Sequence, residues 1–144
     1  MGERGQDRIV IEADADTVWS IIIDIDAYPE WADGMRDAEV LTSNDDGWPV
    51  TARFQVDAKV AEVTYVLRYT YDGDDIHWTL DEGDMLSQLD GSYVLTRETE
   101  ERTRVVYELE VDVDLPLPGF LKKRAAKQIM DTGLKTLKAR AESS

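Results

Sequence analysis

Any proton transfer in this 144-residue chain falls to tyrosines and carboxylates, because it has one histidine and no cysteine. His77 stands between Ile76 and Trp78 on the polar parity of an alternating segment, so it reads as an outward-facing side chain. No Ser/His/Asp or Cys/His set assembles around it, and thiolate chemistry is out of reach. Metal sites commonly draw on His or Cys, so neither a metal nor a cofactor is expected. The carboxylates gather at Asp45/Asp46, Asp72/Asp74/Asp75 and Asp81/Glu82/Asp84, and read as solvated turns. Their spacing is not that of a calcium loop, and no glycine loop for phosphate is present. Arg53 and Arg68 fall on outward parity, so no buried guanidinium is expected to hold an enol or carbonyl oxygen. There remain Tyr65, Tyr69, Tyr93 and Tyr107, whose phenols can donate a proton or a hydrogen bond. Their ordinary role is packing with a satisfied hydroxyl, so no residue is assigned as catalytic.

These tyrosines lie on segments of period 2. In 50–60, Val50, Ala52, Phe54, Val56, Ala58 and Val60 alternate with polar residues. Val63, Tyr65, Leu67, Tyr69 and Tyr71 share one parity in 62–71. Ile76, Trp78 and Leu80 share another, as do Leu89, Tyr93 and Leu95, and then Val105 to Val113 by twos. Such repetition predicts a half-buried antiparallel sheet. Residues 8–13 and 37–43 read as two further strands, and the turns around Gly47, Gly73 and Glu100–Glu101 as hairpin connections. Asp14 or Asp16 offers an N-cap for a helix over 15–25, where Val18, Ile21, Ile22 and Ile25 share a face. Tyr28-Pro29-Glu30-Trp31 reads as a breaker and a short second helix. Trp48-Pro49, at a hairpin start, reads as a surface site.

A basic amphipathic helix over about 118–141 ends the chain. Its stripe runs Leu117, Leu121, Ala125, Ile129, Gly133, Leu137, Ala141, widened by Ala126, Met130 and Leu134. It extends for about 36 Å at ~1.5 Å per residue. A ten-residue strand extends for about 33 Å. The helix therefore matches the strands and can lie along one face of the sheet.

Net charge is −15, divided as −20 over residues 1–116 and +5 over 117–144. The acidic body disfavours nucleic acid as a partner. Lys122, Lys123 and Arg124 stand at the helix end that the dipole disfavours for cations; they answer the acidic body or touch a membrane transiently. No apolar run nears the ~20 residues of a membrane span, so stable insertion is not expected. The first seven residues are polar and do not read as a secretory leader. One domain over 1–144, in a reducing cytoplasm, as a monomer or weak homodimer, is the expectation.

The order and spacing of these segments resemble the START-like superfamily of helix-grip proteins, which includes polyketide cyclase/dehydrase, lipid-transport and coenzyme-Q-binding-type members. The resemblance rests on Val18-Trp19 with Asp24, Tyr28-Pro29-Glu30-Trp31, Tyr69-Thr70-Tyr71-Asp72 and His77-Trp78-Thr79-Leu80 with Glu82-Gly83. It continues through Asp90-Gly91-Ser92-Tyr93 and Leu115-Pro116-Leu117-Pro118-Gly119-Phe120. It implies an α+β fold in which a curved seven-stranded antiparallel sheet wraps around the C-terminal helix, with two short helices after strand 1. It also implies a hydrophobic cavity between sheet and helix. Phe54, Tyr65, Tyr69, Trp78, Tyr93 and Tyr107 are its expected sheet wall, and Leu121, Ala125 and Ile129 its helix wall. Tyr28, Trp31, Met35 and Met85 are expected at its mouth. The implied function is binding, with or without transport, of a lipid, isoprenoid, quinone or polyketide-like aromatic. Alternatives from the same superfamily are an aromatase/cyclase and an interaction module with a vestigial cavity.

Overall fold

The computed structural model describes residues 3–32, 34–57, 62–84, 86–114 and 118–143. Within them, the side chains of Glu3, Val113, Ala125, Ala126 and residues 128–132 lie outside the description. The strands are β1 (Glu3–Ile11), β2 (Met35–Ser43), β3 (Pro49–Asp57), β4 (Glu62–Asp72), β5 (Asp75–Gly83), β6 (Leu86–Thr99) and β7 (Arg102–Val113). The helices are α1 (Ala15–Ile23), α2 (Tyr28–Trp31) and α3 (Gly119–Glu142), with a 3-10 turn at Ile25–Ala27. All pairings are antiparallel, in the order β1-β7-β6-β5-β4-β3-β2. This is the START-like helix-grip architecture expected from the residues. β5 and β6 run longer than the alternation alone indicates, since polar residues continue the ladder beyond the apolar core; β1 begins earlier than expected and ends at Ile11 rather than at 13, and residues 58–60 of the expected third strand lie outside the described residues. Among the described residues, no helix is long and apolar enough to cross a membrane.

Local chemistry explains the connections. Gly47 and Gly73 adopt φ of 83° and 60° in their turns, a region open to glycine. Asp14 holds the N-cap of α1 in extended backbone, and its carboxylate accepts a hydrogen bond from the Thr17 hydroxyl. Val18 and Ile22 bury the inner face of α1. The helix stops at Ile23, two residues before the expected end, because Asp24 leaves helical dihedrals. The freed carbonyl of Ile22 accepts the Tyr28 hydroxyl. Asp26 then accepts from the Val40 N–H at 3.2 Å, which pins the turn to β2. Pro118 caps α3, and Gly119 is its first residue.

The last turns of α3 close the fold. Leu134, Leu137 and Ala141 are buried, with Leu137 at 0% exposure, in one core with Ile11, Val18 and Val105. Burying one leucine contributes about 1.5–3 kcal/mol. Polar contacts hold the same turns to the β1 edge. Lys138 Nζ donates to the Val10 carbonyl at 2.9 Å, and the Glu12 N–H donates to the Glu142 carboxylate at 2.9 Å. Lys138 and Glu142 also pair with each other. The first turns are less covered, and Phe120 is 67% exposed.

The Glu12 N–H and the Lys138 ammonium hold the Glu142 carboxyl below its ordinary value. A lowered native pKa stabilises the fold above the unfolded value and loses that contribution as pH falls. Glu142→Gln should therefore lower the urea midpoint at about pH 6, and the two proteins should converge below about pH 4. A second expectation concerns Gly91, where a methyl group would stand 2.5 Å from the Trp78 ring and 2.6 Å from the Glu108 carbonyl oxygen. Gly91→Ala should destabilise the protein by about 1–3 kcal/mol in a urea melt.

Candidate functional site

Strand register brings the inner-face aromatics together. Phe54 pairs with Tyr65 across β3 and β4, Tyr69 with Trp78 across β4 and β5, and Tyr93 with Tyr107 across β6 and β7. Trp78 pairs with Gly91, and its indole lies over that bare backbone, where any Cβ would collide. Trp78 thereby reaches both Tyr93, at 5.1 Å between ring centroids, and Tyr107, at 5.7 Å. Tyr28 extends the wall from α2, at 6.0 Å from Phe54 and 5.1 Å from Trp31. The β5–β6 pairing ends at Trp78 and Gly91. Beyond it the Leu80 N–H donates to Asp90 Oδ1 at 3.1 Å, so a carboxylate takes the place of the missing strand partner.

The phenols divide by their partners. Tyr28 donates to the Ile22 carbonyl, and Tyr71 to the Pro49 carbonyl. The hydroxyls of Tyr65, Tyr69, Tyr93 and Tyr107 make no hydrogen bond to another described residue. Among the described residues, the buried side-chain polar atom without a hydrogen bond is Arg104 Nε, which lies 3.0 Å from Glu98 in an ion pair. Burial pushes the phenols of Tyr28, Tyr65, Tyr69, Tyr93 and Tyr107 above the ordinary tyrosine value. Tyr65 adds a further upward push at Tyr28, Tyr69, Tyr93 and Tyr107. All remain protonated at neutral pH and present donors to whatever they face.

Tyr65 and Tyr93 are half-buried, while Phe54, Tyr69, Trp78 and Tyr107 are buried. Trp31 and Met35 line an open depression of about 580 Å³, with Arg36, Asp57 and, from α3, Thr136. It lies at the end of the sheet where β2 begins and β3 ends. Leu121 is half-buried on the first turns of α3. Met85 and the side chains of Ala125 and Ile129 lie outside the described residues. On the stripe that buries Leu137 and Ala141, a methyl group at Gly133 would meet no atom of the described residues within 4 Å.

Several expectations about neighbouring residues are answered as well. His77 is exposed. Arg53 and Arg68 point outward to Glu39 and Asp81. Trp48, expected at the surface, is half-buried: it packs edge-on against Trp19 at 5.2 Å and tilted against Tyr71 at 5.1 Å, forming a second aromatic cluster. Hairpin position suggested exposure, but α1 folds back to cover it. Gly91 and Asp90 were not singled out as site residues. The available signal was a glycine at an inward position, opposite a tryptophan whose strand had yet to be paired with it.

The sequence over residues 4–142 matches the family described as polyketide cyclase/dehydrase and lipid transport. A START superfamily protein from Mycobacterium smegmatis has a similar structure, with a TM-score of 0.92 at 25% identity over 99% of both chains. An aromatase/cyclase from Streptomyces sp. R1128 superposes with a TM-score of 0.84 at 18% identity, over 99% of this chain and 94% of that one. A protein from Thermus thermophilus gives 0.80 at 20% identity over 97% of both chains. No curated protein matches the sequence.

Gly133 leads to a prediction. Glycine in a helix interior costs about 1 kcal/mol relative to alanine. Gly133→Ala should raise stability by about 0.5–1 kcal/mol, read from a urea melt, because the new methyl group meets no atom of the described residues.

Proposed function

The chain belongs to the polyketide cyclase/dehydrase and lipid transport family, and from that premise we propose that it binds a hydrophobic small molecule between the sheet and α3. Family and fold support a ligand-binding or an aromatase/cyclase role. The observation that carries the binding reading is the set of four deep phenols without a partner among the described residues. Donors left without a protein partner on an inner sheet face call for water or a ligand. Half-buried Tyr65 and Tyr93 on an inner sheet face, together with the absence of any described atom within 4 Å of a methyl group at Gly133, support a void rather than a filled core. Apolar burial would supply affinity at roughly 25 cal/mol per Å², before the cost of association. The α2–β2 segment with Trp31 and Met35 would form the mouth, and transient membrane contact there would serve loading. We place the protein in the cytoplasm as a monomer or weak homodimer.

A catalytic reading has one observation in its favour. Neutral phenols on one inner sheet face suit protonation or stabilisation of an oxygen that gains charge, as cyclisation of a polyketide-like chain requires. Burial weakens them as acids, however, and that favours holding a ligand over transferring a proton.

Native mass spectrometry of protein purified from its own host tests the proposal. A stoichiometric hydrophobic adduct is expected, and organic extraction would identify it. Gly133→Phe should keep the fold and lower adduct occupancy by filling the space beside α3. An empty wild-type protein that also rejects lipids, quinones and aromatics would refute binding. A changed product distribution in a polyketide assay would move the assignment to the cyclase.

A further inference from the structure

The interior lacks cations. Among the described residues, the buried polar side chains are Thr51, Ser92 and Thr103, and none is charged. The arginines of β3 and β4 face outward into ion pairs. Lys122 reaches Asp112 and Lys138 reaches Glu142. In the middle of α3, residues 125, 126 and 128–132 contain no Lys, Arg or His, so the helix brings no cation inward there. Lys59 is the one Lys or Arg outside the described residues. Among the described residues, phenols stand on the inner sheet face with an indole among them.

Two consequences follow from general chemistry. A carboxylate moved from water into such a space loses its hydration and finds no counter-charge, a large penalty for an unpaired ion. A phenol, whose oxygen lone pair is drawn into its ring, donates a hydrogen bond better than it accepts one. The site therefore suits a neutral oxygen acceptor such as a carbonyl. Tilted aromatic rings, with centroids 4.9–6.1 Å apart around Trp78, further favour a flat, ring-bearing partner over a saturated chain.

We infer that the ligand enters as an uncharged, ring-bearing molecule whose buried end carries a carbonyl-type oxygen received by the tyrosine hydroxyls of β4 and β6, and that free carboxylates are rejected. This rests on the binding reading and narrows it. Fatty acids fall outside the ligand class, whereas aromatic ketones and quinones fall within it.

Three probes of matched ring and size separate the contributions: 2-acetylnaphthalene, 2-naphthoate and 2-ethylnaphthalene. They are titrated calorimetrically into the full chain at neutral pH. The ketone should bind at least about tenfold more tightly than the carboxylate. Tyr69→Phe and Tyr93→Phe each remove one hydroxyl and keep the ring. At least one should weaken the ketone by about three- to tenfold while leaving 2-ethylnaphthalene within about twofold. Far-UV circular dichroism and the urea midpoint establish that the variants fold. Carboxylate binding as tight as ketone binding would overturn this inference and leave the binding reading standing. So would an equal loss of ketone and hydrocarbon affinity in both variants. Failure of all three probes to bind the wild-type protein would overturn the inference and count against the binding reading itself.

Discussion

A helix about 10 Å across has to cover a sheet of seven strands. At about 4.8 Å between neighbours, such a sheet is roughly 29 Å wide. One helix cannot bury that face, and much of the remaining structure answers this mismatch. α3 packs its last turns on β1 and β7 at one side, with α1 beside it on β6 and β7, and α2 covers part of β2 at the other. Between them the inner face of β3 to β6 carries Phe54, Tyr65, Tyr69, Trp78 and Tyr93, which join one core with Val18 and Ile22 of α1 and Leu134 of α3.

The two ends of α3 are held to different degrees. Its C-terminal turns are fastened by Leu137 and Ala141 in the core and by Lys138 and Glu142 at the β1 edge. Its first turns carry exposed Gly119, Phe120, Lys123 and Arg124 and contribute little to the core. Large apolar burial gives the first region its rigidity, whereas the second can yield without the same loss.

Gly91 shows how a single missing side chain governs a wall. Trp78 pairs across from it, and its ring occupies the volume a Cβ would take. That settles the indole against β6 and brings it within reach of Tyr93 and Tyr107. Just beyond, the β5 and β6 ladder parts, and Asp90 takes over the Leu80 N–H. Backbone and side chain exchange roles there, so the departing strand retains a hydrogen-bonded amide.

The period-2 parity of Tyr65, Tyr69, Tyr93 and Tyr107, and the stripe from Leu134 to Ala141, were legible in the sequence because each reports a local geometry. Alternation states which side chains share a face, and 3.6-residue spacing states which face of a helix is apolar. The outward positions of His77, Arg53 and Arg68 followed from the same rule. Trp48 was misjudged because its cover comes from Trp19, distant in the chain. The pairing of Trp78 with Gly91 and the bond from Leu80 to Asp90 depend on which strands become neighbours. Whether a tyrosine hydroxyl finds a partner depends on the same thing: Tyr28 finds the carbonyl of Ile22, and Tyr69 finds none among the described residues. Residue types and their periodicity thus determined the strands, the helices and the list of inward aromatics. Only the tertiary structure decided which hydroxyls found a partner, because hydrogen-bond satisfaction is settled by which carbonyls the folded backbone carries to each hydroxyl, as at Ile22 for Tyr28 and Pro49 for Tyr71.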